Sequence, residues 1–190
     1  MSPSSFKVPA IICIGVGVLF AAIYFGGSYF VPDIAGNIKI ARDTSAPETA
    51  AVGQRAAYFD LPDTTGTHVT LADFTHMPLV IVFWSTWNSE AADQIKIVDD
   101  YLAARAPNAP ALRIIAIDSQ EERSVVAAFM RRGGYQVHTL IDVQGIVSNA
   151  YSIKSVPTFF FVDANGIVIR SYTGVLSARM IGDNVEHILH

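Results

Sequence analysis

Leu79-Val80-Ile81-Val82-Phe83-Trp84-Ser85-Thr86-Trp87-Asn88-Ser89-Glu90-Ala91 opens with six apolar residues in a row and then breaks into small polar ones. A short continuous apolar run of this kind reads as a strand buried on both faces. A helix start follows it: Thr86, Asn88 and Ser89 each offer an oxygen to the first free N–H groups, and Glu90 puts negative charge at the positive end of the helix dipole. Asn88 to Ala106 keeps Ile95, Val98 and Leu102 on one face and stops at Pro107. The pattern then repeats, with Leu112 to Ile117 as a second buried run and Glu121 to Arg132 as a helix that turns Val125, Ala128 and Phe129 inward before Gly133-Gly134. Strand, helix and strand with a crossover of this length form a parallel βαβ unit.

Toward the C-terminus, Thr158 to Asp163 and Ile167 to Tyr172 flank Ala164-Asn165-Gly166, which reads as an antiparallel hairpin with a glycine-containing turn. Pro157 would interrupt a strand ladder, so it belongs at the start of its strand. Ser177 to Leu189 closes the chain as a helix. With a small hairpin ahead of the first buried strand, the whole is an α/β fold: a central mixed sheet flanked by helices with an N-terminal hairpin.

From about Gln54 to His190 the chain resembles the TlpA/ResA-like branch of membrane-anchored thioredoxins. Tyr58-Phe59-Asp60-Leu61-Pro62-Asp63, Gly66 and Val69-Thr70-Leu71-Ala72-Asp73-Phe74 are similar to that family's entry segment, and Val156-Pro157-Thr158-Phe159-Phe160-Phe161-Val162-Asp163 with Asn165-Gly166 to its V-P-T segment. Phe83 to Ala91 is similar to F-W-x-x-W-C-x-x-C, with Asn88 and Ala91 at the two cysteine positions. The resemblance implies a thioredoxin-like fold and a cis Val156-Pro157 bond packed against the former redox turn. It also implies that Gln94 stands where the family often carries an acid and Lys96 where it carries a helix-kinking proline. Dithiol exchange needs an attacking thiolate and a resolving sulfur, and neither Asn nor Ala supplies one. No catalytic residue is assigned, and Asn88 and Ala91 are vestigial positions. Pro157 has two readings of equal weight: it shapes the loop, or its loop still presents backbone groups to an extended peptide.

A hydrophobic share of 51% in 190 residues leaves room for one domain and an extension. Val8 to Val31 contains no charged residue and is long enough to span a hydrocarbon core of about 30 Å. The expected organisation is a cytoplasmic tail (1–7), one N-terminal transmembrane helix (8–31), a linker (32–55) and the thioredoxin-like domain (56–190). A cleavable signal peptide fits less well, because Tyr24, Phe25, Tyr29 and Phe30 carry the apolar stretch to its far edge. Lys7 at one end and Lys39 and Arg42 at the other leave orientation undecided by charge. The resemblance implies the inner membrane of a bacterium, with the domain periplasmic. Cys13, the one cysteine, falls inside the span and reads as a small packing residue, with intermolecular disulfide or acylation as the lesser reading.

Other chemistries find little support. His68, His76, His138, His187 and His190 offer no metal-ligand spacing, and neither phosphate-loop nor dinucleotide glycine pattern occurs. From residue 57 onward 9 Lys and Arg face 14 Asp and Glu, a net of −5, which argues against nucleic acid as a partner. No cofactor and no metal are expected. Two functions remain. The first is a redox-inactive, membrane-anchored binding, accessory or assembly subunit of a membrane protein complex, meeting its partner through Trp87, Asn88, Ser89, Val156 and Pro157 or through the membrane helix. The second is a thiol-disulfide oxidoreductase or cytochrome-maturation-type factor that uses thiols of its partner.

Overall fold

In a computed structural model, which describes residues 50–190, the run Leu79–Trp84 is the central strand of a five-stranded sheet, and all six of its residues are buried. Numbered along the chain, β1 (Asp60–Pro62) and β2 (His68–Thr70) form the small antiparallel hairpin, and β3 is Leu79–Trp84. Then come α1 (Ser89–Ala104), β4 (Arg113–Ser119), α2 (Arg123–Gly133), β5 (His138–Asp142), α3 (Ile146–Ala150), β6 (Thr158–Val162), β7 (Val168–Thr173) and α4 (Ala178–Glu186). The sheet order is β5-β4-β3-β6-β7. β3 pairs in parallel with β4, and β4 with β5, while β6 joins β3 and β7 antiparallel. This is the mixed sheet expected from the two buried runs and the C-terminal hairpin.

The aromatic core explains why the sheet is filled on both sides. Trp84 packs on Phe129 of α2 with ring centroids 5.3 Å apart, whereas Phe83, on the opposite face, meets Tyr151 at 5.1 Å and Phe160 at 5.9 Å. The hydroxyl of buried Tyr151 donates to the carbonyl of Ala57 at 3.0 Å, so that polar atom is satisfied inside the core. Gly134 takes φ +67° and closes α2 in the left-handed conformation that favours glycine.

Four expectations are corrected. His138–Asp142 is a third parallel strand, and Ile146–Ala150 a short helix, where neither was anticipated. In α2 the fully buried residues are Val126 and Met130, Phe129 packs inward on Trp84 as expected, and Val125 is 47% exposed, because packing against the sheet selects the face that carries Val126. Leu102 is only partly buried. Residues 50–55, expected in the linker, belong to the domain: Gly53 donates to Val168, Val168 to Gln54, and Ala50 to Ala150. Among the described residues no helix is long and apolar enough to cross a membrane. The expected span 8–31 lies outside the described residues, as do the tail and most of the linker.

Candidate functional site

The turn after β3 delivers Asn88 as the N-cap of α1, with extended backbone (φ −98°, ψ 111°). Its side-chain oxygen accepts the N–H of Ala91 at 3.0 Å, and its side-chain nitrogen donates to the carbonyl of Val156 at 3.2 Å. One amide therefore caps the helix and ties the turn to the facing loop. Ala91 is fully buried, so its methyl group belongs to the core. Ser89 and Glu90 are exposed, and Trp87, 69% exposed, is the outstanding apolar side chain of the turn.

The facing loop carries the cis Val156–Pro157 bond that the resemblance implies, and β6 begins at the next residue. Val156 and Pro157 are both buried. The Val156 carbonyl receives Asn88, and the Pro157 carbonyl receives the N–H of Gly174 at 2.8 Å. The structure does bring Trp87, Asn88, Ser89 and Val156-Pro157 together. Both carbonyls on the loop already have donors, however, so the shelf of unpaired backbone groups expected there is filled in part by the protein itself.

Gln94, expected only as the loss of an acid, has a positive role. It is wholly buried, donates to the Leu176 carbonyl at 3.0 Å and accepts the Leu176 N–H at 2.7 Å. A carboxylate could make only the second of these bonds. Lys96 lies on the solvent side and pairs with Asp100 at 2.6 Å, an exposed i,i+4 ion pair of small energetic weight.

Thr86 does not cap α1. Its N–H and its hydroxyl both donate to the carboxylate of Glu121, each at 2.5 Å. Glu121 is half-buried and holds the turn. Below it lies Asp118, at the end of β4 and in register with Trp84 of β3. Asp118 is completely buried, and neither carboxyl oxygen meets a hydroxyl or a side-chain N–H; only the backbone N–H of Glu121 comes near. Burial, and then the neighbouring Glu121 carboxylate, push its pKa up to about 9. Sequence reading passed over Asp118 and Glu121; the available signal was an acid at the end of the apolar run Leu112 to Ile117.

Away from the turn, Asp63 accepts the N–H groups of Thr65, Gly66 and Thr67. Partial burial works against ionisation there, but hydrogen bonds from Thr65, Thr67 and His138 hold it down at about 2. This is loop architecture. Among the described residues no group of three His, Cys, Asp or Glu is placed to hold a metal ion.

A central strand running into a capped helix, faced by a cis-proline loop on an antiparallel neighbour, defines a thioredoxin-like fold. Residues 52–171 match the AhpC/TSA family, and the chain belongs to that family. It is 28% identical over 143 residues to the thiol-disulfide oxidoreductase ResA of Bacillus subtilis (strain 168), covering 74% of this chain and 78% of that protein. To ResA of Geobacillus thermodenitrificans (strain NG80-2) it is 29% identical over 138 residues, covering 73% and 78%. The solved structure of a thiol:disulfide interchange protein of the thioredoxin family from Chlorobium tepidum TLS covers 74% of this chain and 99% of its own, with a TM-score of 0.59 at 21% identity. StoA from Bacillus subtilis gives 0.59 at 15% identity, covering 68% and 96%. The likeness to these structures is one of fold.

Proposed function

We propose that this chain is a thioredoxin-like binding subunit that has exchanged thiol chemistry for a fixed protein-docking surface, anchored by residues 8–31 in a bacterial inner membrane with its domain on the periplasmic side. The observation that carries the reading is Asn88. Where the resemblance sets an attacking sulfur, an amide caps α1 and closes onto Val156, and the second position is a buried alanine. Such a turn can present Trp87 but cannot form or resolve a mixed disulfide. The partner is a membrane protein or membrane protein complex, which the domain serves as an accessory or assembly subunit.

A second reading keeps thiol-disulfide exchange and takes the thiols from the partner. It is favoured by the names of the relatives, which are thiol-disulfide oxidoreductases. Insulin reduction by the full chain in detergent, with and without Cys13→Ser and in the presence of its co-purified partner, separates the two. No turnover above background is expected; turnover that survives in the variant overturns the binding reading. Intact-mass measurement of the membrane-extracted protein tests the anchor, and a chain starting near residue 30 would remove it.

A further inference from the structure

We infer that the turn presenting Trp87 is held by one proton shared between Asp118 and Glu121, so that presentation of this surface depends on pH. The inference deepens the docking reading and borrows its significance from it, but it stands on geometry of its own. Thr86, the residue before Trp87, is bound through both its N–H and its hydroxyl to the two oxygens of Glu121. Both oxygens act as acceptors there, which is the work of an ionised carboxylate.

Asp118 approaches the same carboxylate from below, within hydrogen-bonding reach. Its oxygens have no hydroxyl or side-chain N–H to accept from, and only the backbone N–H of Glu121 comes near them. The charged surroundings offer no relief. From β5, Asp142 adds a further negative charge, although its own oxygens are engaged by Val147 and Ser148. β3 contributes neutral Trp84 and Ser85, and α2 turns Val126, Phe129 and Met130 toward the core. Arg123, the nearest cation in sequence, lies against Gly66 of the hairpin loop. Among the described residues neither Asp118 nor Glu121 has an ion-pair partner.

Two ionised carboxyls in contact without a cation repel strongly in a poorly hydrated site, so one of them keeps a proton. Asp118, the more deeply buried, holds it and donates it to Glu121. The pair then carries one negative charge, and that charge is spent on Thr86. When the proton is lost as the pH rises, two like charges face each other. Glu121, the member with access to water, swings outward and lets go of both Thr86 groups. The backbone N–H of Thr86 is then left to solvent, and Trp87 loses the anchor immediately before it. The raised pKa of Asp118 agrees with release on the alkaline side of neutrality.

The test follows the two indole N–H signals of the 15N-labelled full-length protein in detergent from pH 6 to pH 10. In the parent, the exposed Trp87 signal is expected to shift with a single alkaline transition. Asp118→Asn keeps a donor toward Glu121 without an ionisable proton, and the shift should disappear. Should that variant fail to fold, Glu121→Gln serves the same purpose, because it removes the like charge and should also abolish the transition. Persistence of the same transition in a folded variant overturns the inference, as does a flat parent profile. The isolated protein is measured, so failure here is distinct from failure of the docking reading, which is judged by partner co-purification.

Discussion

The carboxamide of Gln94 and the backbone of Leu176 form a closed pair, Nε2–H to carbonyl at 3.0 Å and N–H to Oε1 at 2.7 Å, inside a region with no solvent access. The pair fastens the middle of α1 to the segment that leads into α4. It explains why a neutral amide occupies a position at which relatives of this kind are expected to carry an acid.

Gln94→Glu should therefore be costly at neutral pH, by about 3 kcal/mol, since a buried carboxylate would face the Leu176 carbonyl with no hydrogen between them. The buried glutamic acid would have a raised folded-state pKa, so the loss should shrink as pH falls and the side chain regains a donor. Urea unfolding at pH 5 and pH 7.5 checks this, and an equal cost at both values would contradict the pairing.

Asn88→Ala removes a helix cap and a tie between loops. The expected loss is about 2 kcal/mol, roughly half from the cap and half from the bond to Val156. Asn88→Asp keeps the acceptor for Ala91 but not the donor for Val156, and should fall between alanine and the parent in denaturant midpoint.

Asn88→Cys with Ala91→Cys should fold and form an intramolecular disulfide under mild oxidant, read by mass after alkylation. The positions flank the first turn of α1, where the helix dipole favours a thiolate. The couple should be a poor one, because Gln94 is committed to Leu176 and carries no exchangeable acid proton. A folded double variant that never closes the bond would show that these are not the exchange positions.

Asp118 ties stability to pH. Its folded-state pKa lies above the ordinary aspartate value near 4, so between there and about 9 the folded chain holds a proton that the unfolded chain has released. Stability contributed at this site is fully present in acid and falls as pH rises through that window. Asp118→Asn should abolish the trend: its thermal midpoint should match the parent near pH 4 and exceed it by several degrees at pH 8. A constant offset across the range would show that the carboxyl is not the group responsible.

Trp87→Ala should weaken co-purification with the membrane partner by the equivalent of about 2 kcal/mol, the scale of an aromatic anchor at an interface centre. Glu122→Ala, on the exposed N-cap of α2, should leave it unchanged. Binding that survives Trp87→Ala but is lost when residues 8–31 are exchanged for an unrelated span would assign the contact to the membrane segment.

Much of the fold was legible because burial leaves its mark on composition. Leu79–Trp84 could be delimited to the residue, since a strand covered on both faces excludes polar side chains along its whole length. The β6–β7 hairpin announced itself through Asn165-Gly166. His138–Asp142 escaped because histidine, threonine and aspartate dilute the apolar signal of a strand only five residues long, and α3 is too short to show a period. In α2 the adjacent Val125 and Val126 offered two registers of nearly equal hydrophobicity, and packing beneath Trp84 and Phe129 selected the second.

The sequence by itself determined which atoms are available at the turn: no sulfur at residues 88 and 91, an indole at 87, an amide at 94. Side-chain chemistry is a local property, and folding cannot add to it. Only the tertiary structure decided what those atoms bind. Thr86 meets Glu121 across 35 residues, Asn88 meets Val156 across 68, and Gln94 meets Leu176 across 82. These meetings are set by the order β5-β4-β3-β6-β7, which carries the ends of β4, β6 and β7 to the turn. Buried polar groups must find partners wherever the sheet places them, so the same residues that read as an emptied redox site are in the folded chain a set of hydrogen-bonded clasps around one exposed tryptophan.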